Sequence, residues 1–404
     1  MEEIIKNACG VDVHKKEIVA TIMCEKTKQE TMSYGTTTKE LSEFSKWLSS
    51  NNITHVAMES TGPYWKPVYN ILEDDFKIIL GNARHIKNVP GRKTDVKDSQ
   101  WICKLLKNGL IQSSLILPKN FRGLKDLSRY RRKLVQTKTA EKNRILKILE
   151  DANIKLSNVI CDVFGKTGRS ILNFLLLDKK TQLPKLHRKL KSSREQIIDS
   201  IDGNMTSAHR FLIQKSLKHI EQLEISILEI ELEMDNLMNN HIEDLGLLRS
   251  VCGVGQTAAR DILASIGPDI SVFPSKHHIA SWAGLCPGNN ESAGKRYSGK
   301  IGHGDPNLKA TLTECAWAAV RTKNTYFAAK FRQLAARRGS KRALIAIAHK
   351  ILINCYHVLK SREKFRELGE DFLLSKKKDK LKKSYVQKLT NLGFDVQVSP
   401  RALQ

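Results

Sequence analysis

The sequence predicts an α/β domain at the N-terminus, followed by a mainly α-helical remainder. Three observations carry that expectation. Short β-rich runs bounded by turn residues crowd the first 82 residues: ACGVDV, EIVATIMC, THVAMES and FKIILGN. From residue 119 onward the apolar residues recur at helical spacing instead. The 404 residues carry 68 Lys and Arg against 42 Asp and Glu, a net charge of +26. An excess of that size calls for a polyanionic partner, nucleic acid before a membrane surface.

The elements follow in order. Two β-rich stretches within residues 8–24 are split by the charged turn His14-Lys15-Lys16, and a third, polar strand around 31–34 completes a meander. Helical spacing over 39–48 precedes the strand 54–60 and Gly62-Pro63. A helix near 64–72, a strand at 76–82 and a helix over 95–108 complete this region. Residues 119–150 read as one long helix with 11 Lys/Arg and 3 acids. Arg129, Arg131, Arg132 and Lys133, in the run RYRRK, mark it as an electrostatic footprint for phosphates. Within 213–238, Leu217, Ile220, Leu223, Ile227, Ile230, Met234 and Leu237 form a heptad-like seam with an acidic outer face. That seam suits a partner helix or an intramolecular helical hairpin equally. A compact region over 244–360 holds a Gly-rich interruption at 284–306, and a basic tail containing KKKDKLKK follows.

Several classes are excluded or disfavoured. No apolar run approaches the ~20 residues of a spanning helix. MEEIIKNACGVDVHKK is neither a signal peptide nor a lipidation site. The eight cysteines are scattered without any CxxC, so neither a zinc site nor a disulfide framework is indicated. The expectation is a soluble, cytoplasmic protein with no membrane partner.

Three constellations carry chemistry. The first is Asp12, Glu59, Asp95 and Asp98. Asp12 lies between strand valines, where an acid is costly without a partner. Glu59 ends a later strand, and Asp95 and Asp98 share one face at a helix start. Capping alone accounts for the helical pair but not for Asp12. An ordered set of acids on adjacent elements is what an RNase H-like nuclease uses to hold Mg2+ for phosphoryl transfer. The second is the turn Gly253-Val254-Gly255 between two apolar helical segments, resembling a helix-hairpin-helix that presents backbone N–H groups to a phosphate. The third is Ser292 in SAGKR, beside Lys295 and Arg296. A hydroxyl among small residues and cations suits attack on a phosphodiester, although chemistry alone does not separate Ser292 from Ser298.

These motifs occur in the order seen in one family. GVDVHKKEIVATI, VAMESTGPYW, NARHIKNVPGRKTDVKDSQWICKLLKNGLI, VCGVGQTAARDILASIG and FPSKHHIASWAGLCPGNNESAGKR resemble the DEDD transposases of the insertion-sequence family numbered one hundred and ten. Ser292-Ala293-Gly294-Lys295 departs from that family's usual Ser-Gly-Gly-Lys at one position. The resemblance implies four segments: an RNase H/RuvC-like domain at 1–150, a helical region with a coiled coil at 151–242, a serine-containing transposase domain at 243–362, and a basic tail at 363–404. It also implies Mg2+ at the four acids, Ser292 as nucleophile through a covalent phosphoserine, and double-stranded donor and target DNA. A structured guide RNA pairing with both DNAs, and a homo-oligomer (a dimer or a tetramer), complete the implied assembly. A RuvC-like nuclease without a covalent intermediate explains the acids but leaves the serine segment idle, and a non-catalytic RNA-binding protein leaves Asp12 idle as well.

Overall fold

Alternation along the first strands decides the layers of the N-terminal unit. The computed structural model describes residues 5–24, 29–60, 62–82, 86, 98–177, 192–288, 290–292 and 295–398. Contacts divide the chain into two compact units, Met1–Leu117 and Pro118–Gln404.

In the first unit, β1 (Ala8–Val13), β2 (Glu17–Met23), β3 (Glu30–Gly35), β4 (His55–Glu59) and β5 (Lys77–Gly81) form one sheet in the order β3-β2-β1-β4-β5. β1, β2 and β3 are antiparallel neighbours, whereas β4 runs parallel to both β1 and β5. Successive strand residues face opposite sides. Cys9, Val11 and Val13 therefore join Leu41, Phe44 and Leu48 of α1 (Thr38–Ser50) and Val68 and Leu72 of α2 (Trp65–Leu72) in one core. A Thr37–Glu40 capping box starts α1. On the other face, Ala8 and Ala57 pack against Ile102, Cys103, Leu105 and Leu106 of α3 (Asp98–Lys107). The expected strands and helices of this unit all appear, with boundaries within two residues of those expected, except that the start expected at 95 for the last helix lies outside the described residues.

The second unit begins with the 33-residue helix α4 (Lys119–Asp151). Short helices α5 (Leu156–Val159), α6 (Lys166–Leu176) and α7 (Arg194–Ile201) lead to α8 (Ser207–Leu237). Ion pairs fix how α4 and α8 run. Arg131 meets Glu231, Lys138 meets Glu224, Glu141 meets His219 and Asp151 meets His209. As one number rises the other falls, so the two helices are antiparallel. Ile213, Ile220, Leu223, Ile227 and Met234 are the buried stripe of α8. The heptad-like seam thus closes a helical hairpin within one chain, and its members Ile230 and Leu237 lie off the buried stripe. Three of the acids read as a free outer face, Glu224, Glu231 and Asp235, are paired with Arg169, Arg131 and Arg260.

Helices α9 (Ile242–Ser250), α10 (Gln256–Ile266), α11 (Lys276–Trp282), α12 (Pro306–Arg321), α13 (Tyr326–Arg338) and α14 (Ser340–Ser361) build the rest, with α15 (Phe372–Asn391) in the tail. α14 is the one described helix long and apolar enough to cross a membrane. Ala343, Leu344, Ile347, Ile351, Leu352 and Cys355 are buried against the other helices of this unit, which makes it a core helix.

Candidate active site

The carboxylates of the N-terminal unit are gathered by the sheet and by one close helix. The parallel register pairs Val11 with Met58, so Asp12 and Glu59 are the next residues on two adjacent strands. In parallel strands such neighbours project from the same face. Asp12 shares its face with Gly10, and there α3 crosses β1. A Cβ on Gly10 would stand 2.2 Å from the Ser99 carbonyl and 2.3 Å from the Cys103 nitrogen. Only glycine permits that approach, and it delivers Asp98, the first residue of α3, towards Asp12. A chain of hydroxyls, buried at Thr21 and Ser99, fixes the same end of the helix. Thr21 hydrogen-bonds Ser99 at 2.8 Å and Thr31 at 2.8 Å.

The electrostatics report the convergence. Burial pushes the Asp12 carboxyl above its ordinary range, the neighbouring His14 pulls it down, and Asp98 and then Glu59 push it up again. His14 Nε2 sits 3.1 Å from Asp12 Oδ2. That histidine was read only as part of a turn. It stands one residue past the end of β1 and two from Asp12, and that nearness was the available signal. Hard carboxylate oxygens that raise one another's proton affinity suit a divalent cation, which offsets their repulsion. Among the described residues no three His, Cys, Asp or Glu side chains already stand at metal-holding distance. Asp95 lies outside the described residues. The buried thiols of Cys9 and Cys103 are pushed up, the latter to about 12, and act as inert core.

In the second unit the Gly-rich interruption is a two-stranded ribbon rather than a loop. Its neck is closed backbone against backbone: a Cβ on Gly284 (φ +66°) would meet the Gly302 carbonyl at 2.7 Å, and one on Gly304 would meet Ala283 at 2.3 Å. Gly288 donates to the Lys300 carbonyl at 2.8 Å, and Gly302 donates to Cys286 at 3.2 Å. Beyond them β6 (Asn290–Ser292) pairs antiparallel with β7 (Lys295–Ser298), Ser292 opposite Lys295. Ser292 is therefore the last residue of its strand, and Lys295 is exposed. The side chains of Ser292, Arg296 and Ser298 lie outside the described residues. At the ribbon's return, Asp305 caps α12 and is clamped to α4 by Arg129 at 2.9 Å and Lys125 at 3.2 Å. Burial alone would raise the Asp305 carboxyl, but these two cations hold it below its ordinary value.

The turn Val251–Gly255 joins α9 to α10. Gly253 has φ +88° and lies against α12, where a Cβ would be 2.3 Å from the Cys315 carbonyl. Gly255 precedes α10, whose first amides receive no side-chain cap. A groove of about 370 Å3 opens here, lined by Gly253, Gly255, Gln256, Thr257, Arg131 and Arg132 among others. The cations on its α4 wall are occupied. Arg131 Nε donates to Glu231 at 2.6 Å. Arg132 donates to Glu314 at 3.0 Å and to Thr311, and stands 4.0 Å from Asp261. Of the four expected phosphate contacts on α4, Arg129, Arg131 and Arg132 are thus in ion pairs within the chain, and Lys133 is exposed.

Two family comparisons match. Residues 9–154 match a DEDD-type IS110 model described as Transposase, covering the five-stranded sheet, its acids and α4. Residues 245–332 match the model described as Transposase IS116/IS110/IS902 family, covering the glycine turn and the ribbon. No curated protein matches the chain. Together the two matched segments span more than half of the sequence and stand in the order in which the acids and the serine segment occur; the chain belongs to the IS110 family and is an insertion-sequence DNA transposase.

Proposed function

We propose that this transposase cleaves and exchanges DNA strands with two chemical parts, a carboxylate site on the sheet and a serine nucleophile on the ribbon. The observation that carries the proposal is the parallel register that sets Glu59 beside Asp12, with the Asp98 end of α3 brought against the same face at Gly10. Like charges are held together there by a glycine contact and a hydroxyl chain, against their own repulsion. Asp12, Glu59 and Asp98, with Asp95, would hold Mg2+, which when bound supplies positive charge beside a scissile phosphate. His14 orients the Asp12 carboxylate from the solvent side. Ser292 attacks phosphorus, its proton passes to a general base, and the 3′ or 5′ oxygen leaves, giving a phosphoserine that a second strand end resolves. Lys295 and Arg296 balance charge on the phosphate, and the Gly253–Gly255 turn offers backbone amides to a neighbouring phosphate. A guide RNA pairing with donor and target DNA supplies sequence choice, so the protein needs to read only backbone and shape.

Strand exchange between two DNAs also calls for more than one copy. α8 leaves a second apolar stripe facing solvent: Ile225, Leu228 and Leu232 are 57%, 59% and 64% exposed. Replacing Ile225, Leu228 and Leu232 with Lys should yield folded monomers, whereas Lys at Ile227 and Met234 should unfold the hairpin. Sedimentation of the two variants separates these outcomes.

The test of the nucleophile is a denaturation-resistant protein–DNA adduct. Wild type and Ser298→Ala should form it, and Ser292→Ala should not. Metal-dependent cleavage without any adduct would identify a RuvC-like nuclease instead. An adduct persisting in Ser292→Ala would refute the assignment.

A further inference from the structure

A second basic stretch exists, and part of its charge is not neutralised. Between Glu314 and Glu363 the sequence holds eleven Lys/Arg and no acid. Arg332 and Arg362 reach acids elsewhere, at Glu370 and at Glu243 and Asp244. Arg321, Lys350 and Lys360 lie over Trp317, Tyr326 and Tyr356. The α13–α14 corner differs. Arg337, Arg338, Lys341 and Arg342 are all exposed, and none forms a hydrogen bond or ion pair with the described residues. Gly339, at φ +77°, turns one helix directly into the next and so brings the two pairs together.

The placement of the second pair is unfavourable in isolation. Arg337 and Arg338 sit in the last turn of α13, where cations complement the helix dipole. Lys341 and Arg342 sit in the first turn of α14, where they oppose it. No acid lies in that turn, and no side chain caps its amides. Four like charges at an uncapped helix start gain only when an anion arrives.

We infer that the Arg337–Arg342 corner is the principal contact of the C-terminal unit with nucleic-acid backbone phosphate. The inference deepens the transposase reading and rests on it. It assigns the phosphate contact to this corner rather than to α4.

The test measures binding of the full-length protein to a 30-bp DNA duplex and to an RNA hairpin, by fluorescence anisotropy across a salt series. Two variants are compared with wild type. Lys341→Glu/Arg342→Glu places acids where the α14 dipole favours them, so its melting temperature should hold or rise. Its slope of log affinity against log salt should flatten by about 2, one unit for each lost phosphate contact. Arg337→Gln/Arg338→Gln/Lys341→Gln/Arg342→Gln should flatten the slope by about 4 on the duplex. Flattening on DNA alone, on RNA alone or on both identifies which backbone the corner holds, and each supports the inference. Unchanged slopes on both probes, with binding by wild type intact, would overturn it. Failure of wild type to bind either probe would instead remove the reading on which it rests.

Discussion

Two stretches of this chain carry eleven Lys and Arg each, residues 119–150 and residues 315–362, and they differ in what faces those cations. Along α4 the cations meet acids of α8, α10 and α12: Arg131 with Glu231, Arg132 with Glu314 and Asp261, Arg129 and Lys125 with Asp305. At the α13–α14 corner no acid among the described residues pairs with Arg337, Arg338, Lys341 or Arg342. A count of charges does not distinguish the two; the neighbours do. The acids differ too. Asp305 is held below its ordinary value by two cations and caps a helix, whereas Asp12, with His14 at 3.1 Å, is raised by burial and by the nearby Asp98 and Glu59.

The contrast breaks if α4 proves to be a nucleic-acid surface. Arg131→Met with Arg132→Met should cost about 3 kcal/mol in urea unfolding, because Glu231 and Asp261 lose their cations while remaining partly or wholly buried. The salt dependence of DNA binding should not change. A flattened salt slope with full stability would reverse the roles of the two stretches.

A smaller effect is expected where α3 touches the sheet. Gly10→Ala inserts a methyl group into the Ser99 and Cys103 backbone, so α3 must move away, at about 2 kcal/mol. Asp98 moves with it, and cleavage should fall more than stability does. Equal activity per folded molecule would show that the approach of α3 does not set the carboxylate geometry.

The smallest effect sharpens the picture within the compensated region. Asp261 accepts from Ser128 at 2.7 Å, yet burial raises its carboxyl above the ordinary range, outweighing Ser128, Arg131 and Arg132. A raised folded value means that stability is full below the ordinary carboxyl pKa and declines as pH rises through the folded one. Asp261→Asn keeps an acceptor for Ser128 and removes the ionisation. Wild type should therefore lose stability relative to the variant as pH rises from below the ordinary carboxyl pKa towards neutrality. A difference of the opposite sign would mean that Arg132 dominates this site.

Much of the fold was legible because its signals are local. Alternation gave β1 and β4, and the acids at Asp12 and Glu59 stood out as charges in buried strands. What was not legible depends on contacts distant in sequence. The apolar stripe of α8 is the same whether it meets α4 or another molecule, and only ion pairs such as Glu141 with His219 decide. The segment 284–304 reads as a loop because its glycines signal flexibility, whereas Gly284 and Gly304 serve to let two backbones touch. Gly10 carried no signal, since the helix it admits lies some ninety residues away. The acid-free stretch was overlooked because apolar core residues of α14 dilute its cations.

The most direct measurement is Mg2+-dependent DNA strand cleavage by Asp12→Asn, set beside nucleic-acid affinity and melting temperature for the same preparation. Removing one carboxylate charge from a cluster of like charges should leave folding and affinity intact. The cleavage rate should fall by at least about a hundredfold, because Asp12 is the acid on which Asp98 and Glu59 converge. Cleavage within a few-fold of wild type, at full occupancy of the DNA, would contradict the placement of the chemistry at this end of the sheet.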